Sequence, residues 1–230
     1  MVYASTSHNR TVYASPPVGG SGYGTISAML PITNDSMKIK VRKTNIDKEF
    51  IINKYLPANY SDAFECIAPL ADEVTPDDLQ IAFWSIEKGW VKNLFKLRNV
   101  LVKPFGLKST DNKNISNFTE CIKQGGSYHI VSVTDKSPNE TVLLLNDKHL
   151  KAYLSVSISK LDNNLKRITL TTVVHFHNWF GYVYFYSIAL FHTLVVKAML
   201  GNSINELLSR NVMHKQKSNH HISDKLEVNL

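Results

Sequence analysis

The stretch that decides the fold is LKAYLSVSISKLDNNLKRITLTTVVHFH, residues 150–177. Apolar residues occupy every second position on both sides of the polar turn at 162–164, and such alternation is typical of an antiparallel strand with one buried face. We therefore predict two consecutive strands joined by that turn. The side chains expected to face the core are Leu154, Val156, Leu170 and Val174, while Ser155, Ser157 and Thr171 are expected to face away, on a solvated side of the sheet.

The segment that follows, Trp179–Leu200, is predicted to be a long helix that packs on this sheet. Asn178 is placed to cap its N-terminus. Eighteen residues from Trp179 to Val196 carry no charge, which is the minimum length for a membrane span. The segment also contains several tyrosines and a histidine, which favours a core helix, with membrane insertion or surface attachment as the alternative.

Upstream of residue 150, the pattern predicts further strands and two short helices. Thr75 has the features of an N-cap, because proline and two aspartates follow it. A second helix is expected from Trp90 to Lys103, where Pro104 ends it. The polar segment 108–126 is expected to form a loop. The remaining predicted strands are Tyr60–Pro69, Tyr128–Thr134 and Thr141–Leu145.

This order of elements predicts an α+β fold, a curved antiparallel sheet packed on a long C-terminal helix with two short helices closing one end. The chain has 230 residues, is 43% hydrophobic and carries a net charge of +7. These values exclude a fully disordered chain and a protein with many membrane spans. Cys66 and Cys121 form no disulfide framework, so we expect two reduced thiols in a cytoplasmic protein.

Composition divides the chain into three parts. Residues 1–36 are rich in serine, glycine and proline and are expected to be a disordered N-terminal extension. Residues 37–210 are expected to form a single domain, and residues 211–230 a flexible C-terminal tail.

Several short motifs resemble a known family. They include L-R-N (97–99), P-F-G-L (104–107), D-x-H-L (147–150) and H-N-x-x-G (177–181). Together they resemble domain-of-unknown-function family 2867 over roughly residues 56–200. That resemblance implies a fold similar to the START/Bet v 1-like helix-grip superfamily (SRPBCC), in which sheet and helix commonly enclose a pocket. The family's reaction is unknown, so the resemblance implies a fold and no catalytic residues.

Candidate ligand-binding residues follow from this expected pocket, although each also has a structural interpretation. Trp90 and Tyr186 would line it as aromatic walls or would belong to an ordinary core. Arg98 and His149 would contact a ligand at its mouth, or would pair within the chain. His175 and His177 share one face of a strand, but no third metal ligand is evident nearby, so we predict no metal site. The full candidate set is Trp90, Arg98, His149, Leu154, Thr172, His177 and Tyr186.

The leading hypothesis is a module that binds a small apolar molecule between sheet and helix. The alternatives are an enzyme of cyclase or hydrolase type on the same fold and a peripheral membrane or lipid-handling protein. No G-x-G-x-x-G motif follows a strand, so we expect no nucleotide cofactor and predict no cofactor of any kind. We expect no nucleic-acid partner, and the chain is expected to be a monomer or a homodimer.

Overall fold

The computed structural model describes residues 39–85, 89, 115–162 and 164–227, with side chains described up to residue 211 except that of Leu190. The predicted extension 1–36 and the predicted helix from Trp90 to Lys103 lie outside these residues.

A seven-stranded sheet forms the centre of the described fold, and every pair of neighbouring strands is antiparallel. The strand order across the sheet is β1-β2-β7-β6-β5-β4-β3. The strands are β1 (Arg42–Thr44), β2 (Tyr60–Ala68), β3 (Ser127–Tyr128), β4 (Val131–Ser137), β5 (Glu140–Asn146), β6 (Leu150–Lys160) and β7 (Lys166–Phe176).

Among the described residues, the helical segments that accompany the sheet are a 3-10 helix (Ile51–Tyr55), α1 (Pro76–Ser85), α2 (Ile115–Gln124) and α3 (Trp179–Glu227). The axis of α3 bends by 61° between its parts Trp179–Ala189 and Phe191–Asn211. No single helix among the described residues is long and apolar enough to cross a membrane, although the two parts of α3 together pass that test by length and composition. The α+β prediction is confirmed, and the architecture is consistent with a helix-grip.

The main core lies between α1, α3 and the sheet face that carries Phe64, which we call the inner face. Leu154, Val156 and Leu170 belong to this core together with Met199 and Leu200 of α3. Their predicted orientation toward the terminal helix is therefore confirmed. Thr75 caps α1 as predicted, because its Oγ accepts a hydrogen bond from the Asp78 N–H.

The opposite, outer face of the sheet is not solvated at its centre, and this expectation for the serines was wrong. Ser155 and Ser157 point away from α3, but they are 0% and 1% exposed. The segment before β2 covers this face and packs Ile52 against Tyr153 and neighbouring apolar residues. Strand periodicity predicts which residues share a face, whereas a covering segment decides whether that face meets water.

Two further segments differ from the expected pattern. The predicted loop 108–126 contains α2, whose buried residues Phe118, Cys121 and Ile122 follow helical spacing. The backbone of α3 continues to Glu227, through most of the segment expected to be a tail from residue 211. The flexibility of that segment stays a prediction.

Candidate functional site

Two of the motifs behind the family resemblance meet where β6 and α3 begin. The N–H of His177 donates a 2.8 Å hydrogen bond to the carbonyl oxygen of His149. Asn178 Oδ1 accepts a 3.1 Å hydrogen bond from the Gly181 N–H, and Asn178 Nδ2 lies 3.2 Å from His149 Nδ1. Asn178 therefore caps α3 as predicted. Since an amide NH₂ only donates, His149 Nδ1 is the acceptor in this contact.

Gly181 completes this corner because there is no room for a side chain. A β-carbon at Gly181 would lie 2.3 Å from the His149 carbonyl oxygen and 3.4 Å from Phe176 Cβ. The His149 ring packs edge-on against Phe180, with ring centroids 4.5 Å apart. The H-N-x-x-G motif therefore joins the start of α3 to the chain entering β6, which is a structural role for these residues.

The candidate site is a polar cluster on the inner face of the sheet, which we call the Asp62 cluster. It consists of Tyr60 and Asp62 on β2, Thr172 on β7 and His192 on α3. Tyr60 donates a 2.5 Å hydrogen bond from its hydroxyl to Asp62 Oδ2. His192 Nε2 lies 3.3 Å from the same oxygen, within ion-pair distance when the imidazole is protonated, but it is not aligned for a hydrogen bond.

The Asp62 cluster concentrates buried polar atoms that lack partners. In the described part of the chain, six buried side-chain nitrogen or oxygen atoms have no hydrogen-bond partner, and three of them are Asp62 Oδ1, Thr172 Oγ1 and His192 Nε2. Asp62 and Thr172 are paired positions on neighbouring strands. Buried polar atoms normally have partners, so unpaired ones on directly paired residues need an explanation.

The environment of this cluster is aromatic. The Tyr60 ring lies 4.6 Å from Phe185 and 6.1 Å from His192, measured between centroids. Phe176 lies 5.5 Å from Phe185 and 6.2 Å from Tyr186. Burial, the hydrogen bond to Asp62 and the Asp62 charge together raise the pKa of Tyr60 well above its ordinary value. Tyr60 therefore keeps its proton and acts as a donor to Asp62 at any physiological pH.

A second buried carboxylate, Glu140 on the outer face, differs from Asp62 because its oxygens are well supplied with donors. It accepts hydrogen bonds from the N–H groups of Ile51 and Ile52 and from the Ser155 hydroxyl. These bonds attach the covering 3-10 helix to the sheet. Glu140 is thus a structural carboxylate, and it provides an internal reference for Asp62.

The structure brings together only some of the residues selected from the sequence. Leu154 and Thr172 are paired positions on β6 and β7, and Leu154 belongs to the main core. Tyr186 is half exposed on α3, beside Phe176 and Phe185. His149 and the exposed His177 lie at the capped corner described above. Trp90 and Arg98 lie outside the described residues.

Sequence reasoning missed Asp62 and His192, although one signal was present. Asp62 shares the inner face of β2 with Phe64 and Cys66, so it is a charged residue at a position where the alternation requires an apolar one. His192 gave no such signal, because it is one of several polar residues on an uncharged helical segment and the pattern does not indicate which of them faces β2.

Other described regions offer less to a ligand. The described residues contain no group of three or more histidine, cysteine, aspartate or glutamate side chains arranged to hold a metal ion. His175 Nε2 lies 2.9 Å from the Tyr55 carbonyl oxygen, so it supports the covering segment. A shallow depression along α2 is lined by Ile115, Ser116, Thr119, Glu120, Lys123 and Gln124, none of which was a candidate.

Comparison with known proteins agrees with the motifs. No curated protein matches the chain. Residues 55–199, more than half of the chain, match the family described as "Protein of unknown function (DUF2867)". That range contains the capped corner and the whole Asp62 cluster. The chain therefore belongs to the DUF2867 family.

Proposed function

We propose that the protein binds a small, mostly apolar molecule between the inner face of the sheet and helix α3, with one polar group of that molecule at Asp62 and Thr172. The proposal agrees with the resemblance to the helix-grip superfamily. The observation that carries it is that two buried atoms without partners, Asp62 Oδ1 and Thr172 Oγ1, belong to directly paired positions of neighbouring strands.

A fold gains no stability from leaving these two atoms unpaired. A buried polar atom without a partner costs about 1–3 kcal/mol, and more when it is charged. A valine at position 172 would fill the same space without this cost. A ligand that brings a hydrogen-bond donor would instead recover the cost on binding, which is how buried polar groups give specificity.

The Asp62 cluster lies close to the protein surface. The His192 side chain is 18% exposed, and Tyr60 is also partly exposed. The half-exposed Tyr186 lies beside Phe185, which in turn contacts Tyr60. A small molecule would therefore pass Tyr60 and His192 to reach Asp62, with aromatic rings against its apolar part.

Native mass spectrometry of freshly purified protein tests this proposal. We expect a retained small molecule, or retention of an added apolar fluorescent probe, and we expect Thr172→Val to reduce that retention. Thr171→Val is the matched control, because Thr171 is equally buried and also lacks a partner but lies on the outer face. The proposal would be contradicted if both variants retained the molecule or probe equally well, or if neither the unmodified protein nor the variants retained any. A recovered compound chemically different from the one added would favour the enzyme alternative.

Attachment to a membrane surface is a second candidate, favoured by an exposed aromatic face on the first part of α3. Trp179, Tyr182, Val183 and Tyr186 follow helical spacing, and their exposed fractions are 74%, 45%, 57% and 50%. Tryptophan and tyrosine are the residues enriched at the membrane–water interface. Co-sedimentation with phosphatidylcholine vesicles, lost in Trp179→Ser, would support this candidate, and no sedimentation of the unmodified protein would rule it out.

A further inference from the structure

We propose that the polar group received at Asp62 is an ammonium, so that the ligand is an organic amine with an apolar or aromatic body. This inference rests on the proposed function and specifies its ligand. The charge of Asp62 and the rings around it support this ligand class.

The charge balance at Asp62 is incomplete. The Asp62 side chain is 1% exposed, and its one hydrogen bond among the described residues comes from the neutral Tyr60 hydroxyl. His192 adds a positive charge only when it is protonated. Lys197, one further turn along α3, directs its ammonium over the Phe64 ring, at 5.9 Å from the centroid. A buried carboxylate needs a cationic or multiply donating partner, and no lysine or arginine in the described part of the chain contacts it.

The surrounding rings favour the same ligand class. Tyr60, Phe185 and His192 are mutual neighbours, with centroid separations of 4.6, 6.1 and 6.3 Å. Aromatic faces attract cations, and clustered aromatic rings are a recurring way to bind organic ammonium groups. The Tyr60 hydroxyl is already engaged as a donor, so the unpaired oxygens of Asp62 and Thr172 remain as acceptors for the N–H bonds of the ligand.

The arrangement also disfavours other ligand classes. A carboxylic acid would bring a second negative charge against Asp62. A neutral alcohol would donate one hydrogen bond but would leave the buried charge uncompensated. A zinc ion would find too few ligands here, since a zinc site needs at least three protein ligands and the described residues contain no such group of histidine, cysteine, aspartate or glutamate side chains.

Binding of matched compounds distinguishes these possibilities. Phenethylamine, phenethyl alcohol and phenylacetic acid share one body, and decylamine, decanol and decanoic acid share a longer one. Titration calorimetry on the full chain should show each amine binding about tenfold tighter than its alcohol, the factor that separates a charge-assisted hydrogen bond from a neutral one. The acids should bind most weakly.

Asp62→Asn removes the charge and should erase the preference for amine over alcohol while apolar binding remains. Glu140→Gln, measured below its melting temperature, is the matched control and should keep the preference. An alcohol that binds as tightly as its amine, or an amine preference that survives Asp62→Asn, would overturn the inference and leave the proposed function standing. If none of the six compounds bound and native mass spectrometry showed no retained molecule, both the proposed function and this inference would be overturned.

Discussion

Replacing Gly181 with alanine tests whether the H-N-x-x-G motif is structural. At an exposed position inside a helix, replacing glycine with alanine stabilises the helix by about 1 kcal/mol. At Gly181, however, the new β-carbon would lie 2.3 Å from the His149 carbonyl oxygen, whereas real contacts essentially never fall below 3.0 Å. The two segments would have to separate by about 0.7 Å. That separation strains the hydrogen bond between His177 and His149 and the cap at Asn178.

We expect Gly181→Ala to lower the free energy of unfolding by about 2–4 kcal/mol, since overpacking costs about 1–3 kcal/mol and each weakened hydrogen bond about 1 kcal/mol. For a chain of this size that corresponds to a fall in Tm of about 5–15 °C. Thermal and urea unfolding followed by circular dichroism measure it. Gly201→Ala is the control, because the nearest atom to its β-carbon is Val41 Cγ2 at 3.8 Å, and we expect it to be neutral or slightly stabilising. If Gly181→Ala were as stable as the unmodified protein, the structural explanation of the motif would be refuted.

Three further predictions concern buried and paired groups. Glu140→Gln should lower the free energy of unfolding by about 2–4 kcal/mol, because an amide cannot replace both acceptor oxygens of the carboxylate. Urea denaturation measures this loss, and an unchanged midpoint would show that Glu140 does not hold the covering segment. Burial raises the pKa of Cys66 to about 12 and also raises that of Cys121. At about pH 8 both thiols should therefore react with a thiol reagent far more slowly in the native protein than in denaturant. Equal reaction rates in the two states would contradict this prediction. Although burial opposes it, hydrogen bonds from Lys54 and Tyr55 hold the pKa of Asp135 below its usual range. The stability that ionised Asp135 contributes to the fold is therefore present above its unfolded pKa of about 3.9. It is lost as pH falls through the lower pKa of the folded state. Lys54→Met should cost less than about 1 kcal/mol at neutral pH, since Lys54 is mostly exposed, and a cost that persisted near pH 2 would argue against the pairing.

The sheet and the two faces of its strands could be predicted from sequence because each depends on local periodicity. Leu154 and Val156 face the terminal helix because alternation with serine allows one register that buries them. The burial of Ser155 could not be predicted in this way. It depends on Glu140, and on a segment about a hundred residues earlier in the chain that covers both.

The candidate site was predictable only in part. The pocket expected between sheet and helix predicts a role for Thr172, and this residue does belong to the Asp62 cluster. Asp62 is a charged residue on an otherwise apolar strand face, which is a signal visible in the sequence. His192 lies just beyond the bend of α3 and close to Asp62, and no pattern in the uncharged segment indicates that placement.

The central claim is that Asp62 serves a ligand and not the fold. Urea denaturation of Asp62→Asn without any added compound tests it most directly. The asparagine has the same shape, still accepts the Tyr60 hydrogen bond and removes a buried charge that lacks a full partner. We predict that the variant is as stable as the unmodified protein or more stable, by up to about 2 kcal/mol, as is common when a residue kept for function is replaced. A loss of about 2 kcal/mol or more, comparable with that of Glu140→Gln, would show that Asp62 is a structural carboxylate and would contradict the account.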